Sequence, residues 1–318
     1  MNAPSVTPVP GATASSIHTR AVLVHLHIGV WQAAKYCKEA AHVVEANYNA
    51  TRGSASTRKQ LLPGDASAYR EAMTLAGEIR QWHRAHTLAW GDADGWRLLT
   101  TRQFTEYTTW MRAKLQAFEA ACDRFADAYP RLVDQAKRLL NGWFHDSDYP
   151  EPGGIRERFA VDIKYAPLPA TGDIRLDLGA DQIAAIEQQV TDRVQASIAG
   201  AMHDAWSRLH DVVATIAERC DDTATATPAD LKRGQKIFRD TLITNVQETC
   251  TTLRKLNLTD DPELEKLRAR VERELGRVDP ADLRESADLR KETAEKAQSI
   301  IDAMAGFYTP AEGAGDEQ

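Results

Sequence analysis

Two histidines, His25 and His27, stand two residues apart in the run Ala21-Val-Leu-Val-His-Leu-His-Ile28. In an extended chain that spacing places both imidazoles on one face. Asp162 and Lys164 share a face of a second alternating stretch, and Arg175 and Asp177 share a face of a third. If the three stretches are neighbouring strands, two imidazoles converge with the carboxylates of Asp162 and Asp177. Neutral imidazole and carboxylate are the usual donors to a divalent metal, or the partners of acid/base chemistry. The competing use of the same residues is a solvated sheet face carrying ordinary cross-strand ion pairs.

A different chemistry is suggested by Arg80-Gln-Trp-His-Arg-Ala-His-Thr-Leu-Ala-Trp-Gly-Asp-Ala-Asp-Gly-Trp-Arg-Leu-Leu99. Arginine next to exposed aromatic rings stacks bases and neutralises phosphates, so Arg80, Arg84, Trp90, Trp96 and Arg97 form a candidate single-stranded nucleic-acid surface. Lys232, Lys236 and Arg239, at helical spacings of three and four, would add phosphate contacts. The structural alternative is that the tryptophans anchor a turn against neighbouring helices, with Asp92 or Asp94 pairing Arg97. No phosphate-binding glycine loop, nucleophile elbow, HExxH or EF-hand loop occurs in the chain. Cys37, Cys122, Cys220 and Cys250 form no CxxC pair and read as free thiols of a reducing compartment. The sequence therefore predicts no cofactor, and it points toward binding rather than catalysis.

The elements that would position these residues are mostly helical. The run from Ala21 to Ile28 is rich in β-branched residues and reads as a strand, with Val22, Val24, Leu26 and Ile28 on its apolar face. A helical rhythm follows from Trp31 to about Tyr48, and another helix runs from Ala66 to about Thr87. Phe104, Tyr107, Met111, Leu115, Phe118, Cys122 and Phe125 form the stripe of a long helix, expected to break at Tyr129-Pro130 and resume to about Leu140. Alternation around Phe159–Tyr165 and Ile174–Leu178 predicts two more strands. Beyond Asp181 the pattern is helical, with segments near 183–216, 229–256, 262–275 and 280–306. Asp261-Pro262 and Asp279-Pro280 each pair an acidic cap with proline at the first helical position.

The fold class expected is mainly α (α+β): long helices with a small sheet of about three strands. Residues 1–19 read as a flexible tail, 20–180 as a helical domain holding the sheet, 181–308 as a helical region, and 309–318 as an acidic tail. A chain of 318 residues that is 43% apolar can bury a sizeable core, which argues against disorder throughout. Its net charge of −7 opposes non-specific attraction to phosphate backbones, so nucleic-acid binding needs a local basic patch. The longest apolar stretch, Ala21 to Trp31, is too short to span a membrane. Leu264, Leu267, Val271 and Leu275, with Ile300, Ile301 and Met304, offer either an internal packing stripe or a seam for a homo-oligomer.

The order of several short segments carries a resemblance. Val30-Trp31 is followed by Lys35, then Lys59-Gln-Leu-Leu-Pro63, Gly95-Trp-Arg-Leu-Leu99 and Phe104-Thr-Glu-Tyr107. Tyr129-Pro130, Asn141-Gly-Trp-Phe144, Asp148-Tyr-Pro150, Arg158-Phe159 and Gly172-Asp-Ile-Arg175 continue it. In this order they resemble a family of uncharacterised proteins of tailed bacteriophages and prophages, over roughly residues 20–180. The resemblance implies a viral origin and action in the bacterial cytoplasm, and brings no activity with it. Together these readings predict a non-enzymatic protein that binds a phage or host protein as scaffold, adaptor of replication or remodelling machinery, or inhibitor. A single-stranded nucleic-acid-binding or recombination accessory protein is the second expectation, and a metal-dependent enzyme working on the sheet face is the third.

Overall fold

The computed structural model describes residues 17–91, 95–170, 179–222 and 241–310. The chain is mainly α-helical with a small antiparallel sheet, as the fold class expected. The elements are β1 (Ala21–Gly29), β2 (Ala34–Tyr36), α1 (Lys38–Asn47), β3 (Arg58–Gln60), α2 (Ser67–Ala85), β4 (Leu88–Ala89), β5 (Trp96–Thr100) and α3 (Thr101–Leu140). Four short 3-10 turns lead to β6 (Ala160–Ala166), followed by α4 (Ala180–Asp222), α5 (Thr241–Leu256), α6 (Pro262–Glu274), α7 (Pro280–Glu285) and α8 (Ala287–Met304). One sheet has the strand order β4-β5-β1-β6, and β2 and β3 form a separate two-stranded ribbon. The third predicted strand, around Ile174–Leu178, lies outside the described residues.

Two compact units are each assembled from separate stretches of chain. Unit 1 takes residues up to His25, Arg84–Thr105 and Tyr165 onward, and unit 2 takes Leu26–His83 and Glu106–Lys164. In unit 1, α4, α5, α6 and α8 pack around Trp206, Leu209, Val213, Ile216, Val246, Leu253, Leu267 and Ile300, all of them buried. Burial of this continuous apolar stripe is the main driving force for the bundle. Leu264, Leu267, Val271, Leu275, Ile300 and Met304 belong to that core, so the stripe proposed as an oligomer seam is consumed inside unit 1. The two Asp-Pro starts behave as the sequence suggests. The Asp261 carboxylate accepts from Glu263 N and Leu264 N, and that of Asp279 accepts from Ala281 N. The last predicted helix is divided, because Ser286 caps a new helix by accepting from Leu289 N.

In unit 2, α2 and α3 enclose an aromatic core. Trp31 lies against Phe125, Tyr69 and Tyr129, with ring centroids 6.3, 6.1 and 5.7 Å away. Trp82 stacks on Trp110 at 4.1 Å with the planes 6° apart. Two expectations are corrected here. The helix α3 continues through Pro130 instead of breaking. Tyr129, fully buried, is held by Trp31 and Phe125 and donates its hydroxyl to the Pro150 carbonyl, while Pro130 faces solvent. Tertiary anchoring of Tyr129 thus outweighs the local preference of proline. The segment after Trp31 does not begin a helix, for Ala34–Tyr36 pairs antiparallel with Arg58–Gln60 and helix starts only at Lys38.

Candidate functional site

Antiparallel register sets Lys35 directly opposite Lys59, and Tyr36 opposite Arg58. Like charges facing each other across a ribbon repel unless a counter-charge lies between them. Asp148, on the 3-10 turns after α3, supplies it. Its Oδ1 accepts from Lys35 Nζ at 2.5 Å and its Oδ2 accepts from Lys59 Nζ. Lys59 also donates to the Trp143 carbonyl at 2.8 Å. The side chains of Lys59 and Asp148 are each 4% exposed, whereas Lys35 is 56% exposed. Burial pushes the Asp148 carboxyl upward, but hydrogen bonds from Lys35 and then Lys59 prevail and hold it below the usual carboxylate range. Tyr149, next in sequence, donates its hydroxyl to Leu61 O, ties the turn to the end of β3, and is pushed up to about 12 by burial and the nearby Asp148 charge.

Around this ion pair opens a cavity of about 170 Å3, lined by Lys35, Tyr36, Cys37, Lys38, Glu39, Lys59, Trp143, His145 and Asp148. All nine residues belong to unit 2. Tyr36 is 47% and Trp143 40% exposed, high values for rings of that size. Cys37 is half-buried, whereas Cys122, Cys220 and Cys250 are buried and each is pushed up to about 11 by burial. The four cysteines are free. The site joins pre-organised charge to reachable aromatic surface, an arrangement suited to gripping a ligand.

Nothing in the sequence positions of Lys35, Lys59, Asp148 and the Asn141–Phe144 segment signals that they meet. The available signal was a pair of lysines 24 positions apart and one aspartate, too sparse to distinguish from ordinary surface charge.

The residues singled out by type and spacing have other surroundings. Arg97 is turned inward, where it donates to Thr87 Oγ1 at 2.6 Å and Thr87 O at 3.0 Å, and pairs with Asp204 at 3.5 Å; Asp92 and Asp94, its expected partners, lie outside the described residues. Arg208 donates to Arg84 O, Ala85 O and Thr87 O. Two guanidiniums thereby satisfy the carbonyls left open at the C-terminal end of α2. Trp90 and Trp96 are half-buried against the core of unit 1, and Trp96 meets the His25 ring at 5.4 Å. Arg80 donates to Ile28 O in unit 2, and Arg84 is exposed. Lys232, Lys236 and Arg239 lie outside the described residues, as does Asp177.

On the sheet, Asp162 pairs with Lys164 at 3.2 Å and both are exposed. His27 is exposed and His25 half-buried. The first half of β1 is buried on both faces, with Ala21 and Leu23 as enclosed as Val24, so its alternation is less clean than expected. Among the described residues no three His, Cys, Asp or Glu side chains gather as a metal ion requires. No helix among them is long and apolar enough to cross a membrane.

No protein-family model, curated protein or solved structure matches the chain.

Proposed function

We propose that this chain is a non-enzymatic protein of phage or prophage origin that acts by binding inside the bacterial cytoplasm, with the lysine and aromatic face of unit 2 as its contact surface. Origin and compartment follow from the family resemblance. The observation that supports action by binding is the buried Lys59–Asp148 pair, with Lys35 on the second carboxylate oxygen. Both charged groups at the floor of the cavity are engaged with each other, and they hold the ribbon and the turn in a fixed relation. The groups left facing outward include the Lys35 and Lys38 ammonium ions and the Tyr36 and Trp143 rings, beside Glu39 and His145, and ammonium ions and rings grip a partner without needing proton transfer. Scaffold, adaptor of replication or remodelling machinery, and inhibitor of a host factor are all uses of such a face.

The test is affinity capture on the immobilised full chain from infected cells, followed by reconstitution with each purified partner. A direct complex that weakens at least tenfold on Trp143→Ala is the expected result. Turnover of a substrate by the purified chain, with no partner reconstituted, refutes the reading.

A further inference from the structure

We propose that the cavity between β2, the start of α1 and the turns after α3 receives a phosphate group, carried by a nucleic-acid strand or by a free nucleotide. This inference rests on the preceding reading that the chain acts by binding through this face. A lysine ammonium has three N–H donors. Two of those on Lys59 go to Asp148 Oδ2 and Trp143 O, and the third has no protein acceptor among the described residues. An ammonium that is 4% exposed, lines a cavity and keeps one N–H unspent can offer that donor to an oxygen from outside the chain.

The charges around it decide what kind of oxygen. Each oxygen of Asp148 already takes one lysine, which offsets its charge. Lys38, at the start of α1, is exposed and makes no ion pair among the described residues. Lys35 contributes only one bond to Asp148, and the imidazole of His145 makes no hydrogen bond among the described residues, its carbonyl alone accepting from Asp148 N. Three ammonium groups thus face two carboxylates, Asp148 and Glu39, so the lining is net positive in a chain that is net negative. Donors that approach from the floor and from the rim suit an anion with several oxygens, and lysine recognises phosphate as a point charge.

Size narrows the ligand further. A volume of about 170 Å3 is below the ~300 Å3 at which pockets enclose a whole drug-sized molecule. The cavity therefore takes a group while the remainder of the ligand stays outside. Beside it lies the half-exposed ring of Trp143, a surface on which a base stacks.

The experiment follows alkylation of Cys37 by iodoacetamide in the full chain, because the other three thiols are buried. Inorganic phosphate, ADP and a short 5′-phosphorylated oligodeoxythymidine are the three probes, each at low and at high salt. The expected result is slowed alkylation at low salt, relieved by salt, with binding weakened about five- to tenfold in Lys38→Ala. Protection by phosphate or ADP alone identifies a nucleotide as the source, and protection by the oligonucleotide alone identifies a strand.

Lack of protection by all three probes overturns the proposal. So does protection that survives the Lys35→Ala/Lys38→Ala double variant, whose substitutions lie at the rim. If a reconstituted protein partner, or an acidic peptide, needs Trp143 while no phosphate probe protects Cys37, the phosphate receptor fails and the binding reading stands. If phosphate protects Cys37 but the purified chain turns over a substrate, the binding reading fails and the receptor stands.

Discussion

Removing either partner of the buried ion pair should destabilise unit 2, and the two removals should differ in size. In Asp148→Leu the Lys59 ammonium, 4% exposed, keeps only the Trp143 carbonyl as a partner. Breaking a buried pair in this way costs about 3–5 kcal/mol. In Lys59→Met the stranded Asp148 still has Lys35 at 2.5 Å on its other oxygen, so the cost falls to about 2–3 kcal/mol. Lys35→Ala removes only an exposed partner and should cost under about 1 kcal/mol. The double variant Lys59→Met/Asp148→Leu leaves no unpaired charge and should recover ~2 kcal/mol or more of the summed losses. Urea unfolding followed by tryptophan fluorescence and far-UV circular dichroism measures all four; because the chain has two units, the transitions are fitted separately. Acid adds an independent check. The folded Asp148 carboxyl titrates below its ordinary range, so its contribution is complete above the unfolded value near pH ~4 and disappears as pH falls through the folded value. The penalty of Asp148→Leu should therefore shrink below pH ~4. Losses below about 1 kcal/mol for both single variants, or a larger loss for Lys59→Met than for Asp148→Leu, are incompatible with a buried pair that Lys35 backs up from one side only.

Other perturbations test the rest of the framework. Pro130→Ala replaces an exposed proline in the interior of α3 and should stabilise unit 2 by about 1–3 kcal/mol, read as a higher midpoint in urea. Trp206→Phe removes the indole donor to Asp261 Oδ2 at 3.2 Å and leaves a buried acceptor open; a loss of about 1–3 kcal/mol in unit 1 is expected by thermal unfolding. A thiol reagent at neutral pH should modify Cys37 in the native chain and the other three cysteines only on unfolding, which mass spectrometry of the labelled peptides resolves.

The fold is legible in the sequence where the signal is local. The stripe of α3 from Tyr107 to Phe125 is buried apart from partial exposure at Leu115, although Phe104, which would begin it, is 39% exposed and meets Tyr165. Asp261 and Asp279 cap helices because a carboxylate before proline has few other local uses. The predicted helix over Trp31–Tyr48 shows the limit. Lys35 and Tyr36 sit in a stretch with helical periodicity, yet they join a ribbon with Arg58 and Lys59, since pairing there lets two lysines share Asp148. Arg97 and the tryptophans near it illustrate the same limit at the level of a site. Their composition fits nucleic-acid contact, whereas Arg97 donates to the Arg84 and Thr87 carbonyls at a helix end and to the Thr87 hydroxyl.

The amino-acid sequence alone determined that the chain is mainly helical with a minor sheet, where most helices begin, and that its thiols do not form a CxxC site. These properties follow from side-chain period and capping chemistry, which act over a few residues. Which charges are buried together and which rings remain in reach of solvent depends on packing between distant segments. Lys35, Lys59, Trp143 and Asp148 are separated by up to 113 positions and meet where the ribbon joins the turns after α3. No local rule encodes that meeting, because burial of one charge becomes tolerable only when its distant counter-charge arrives.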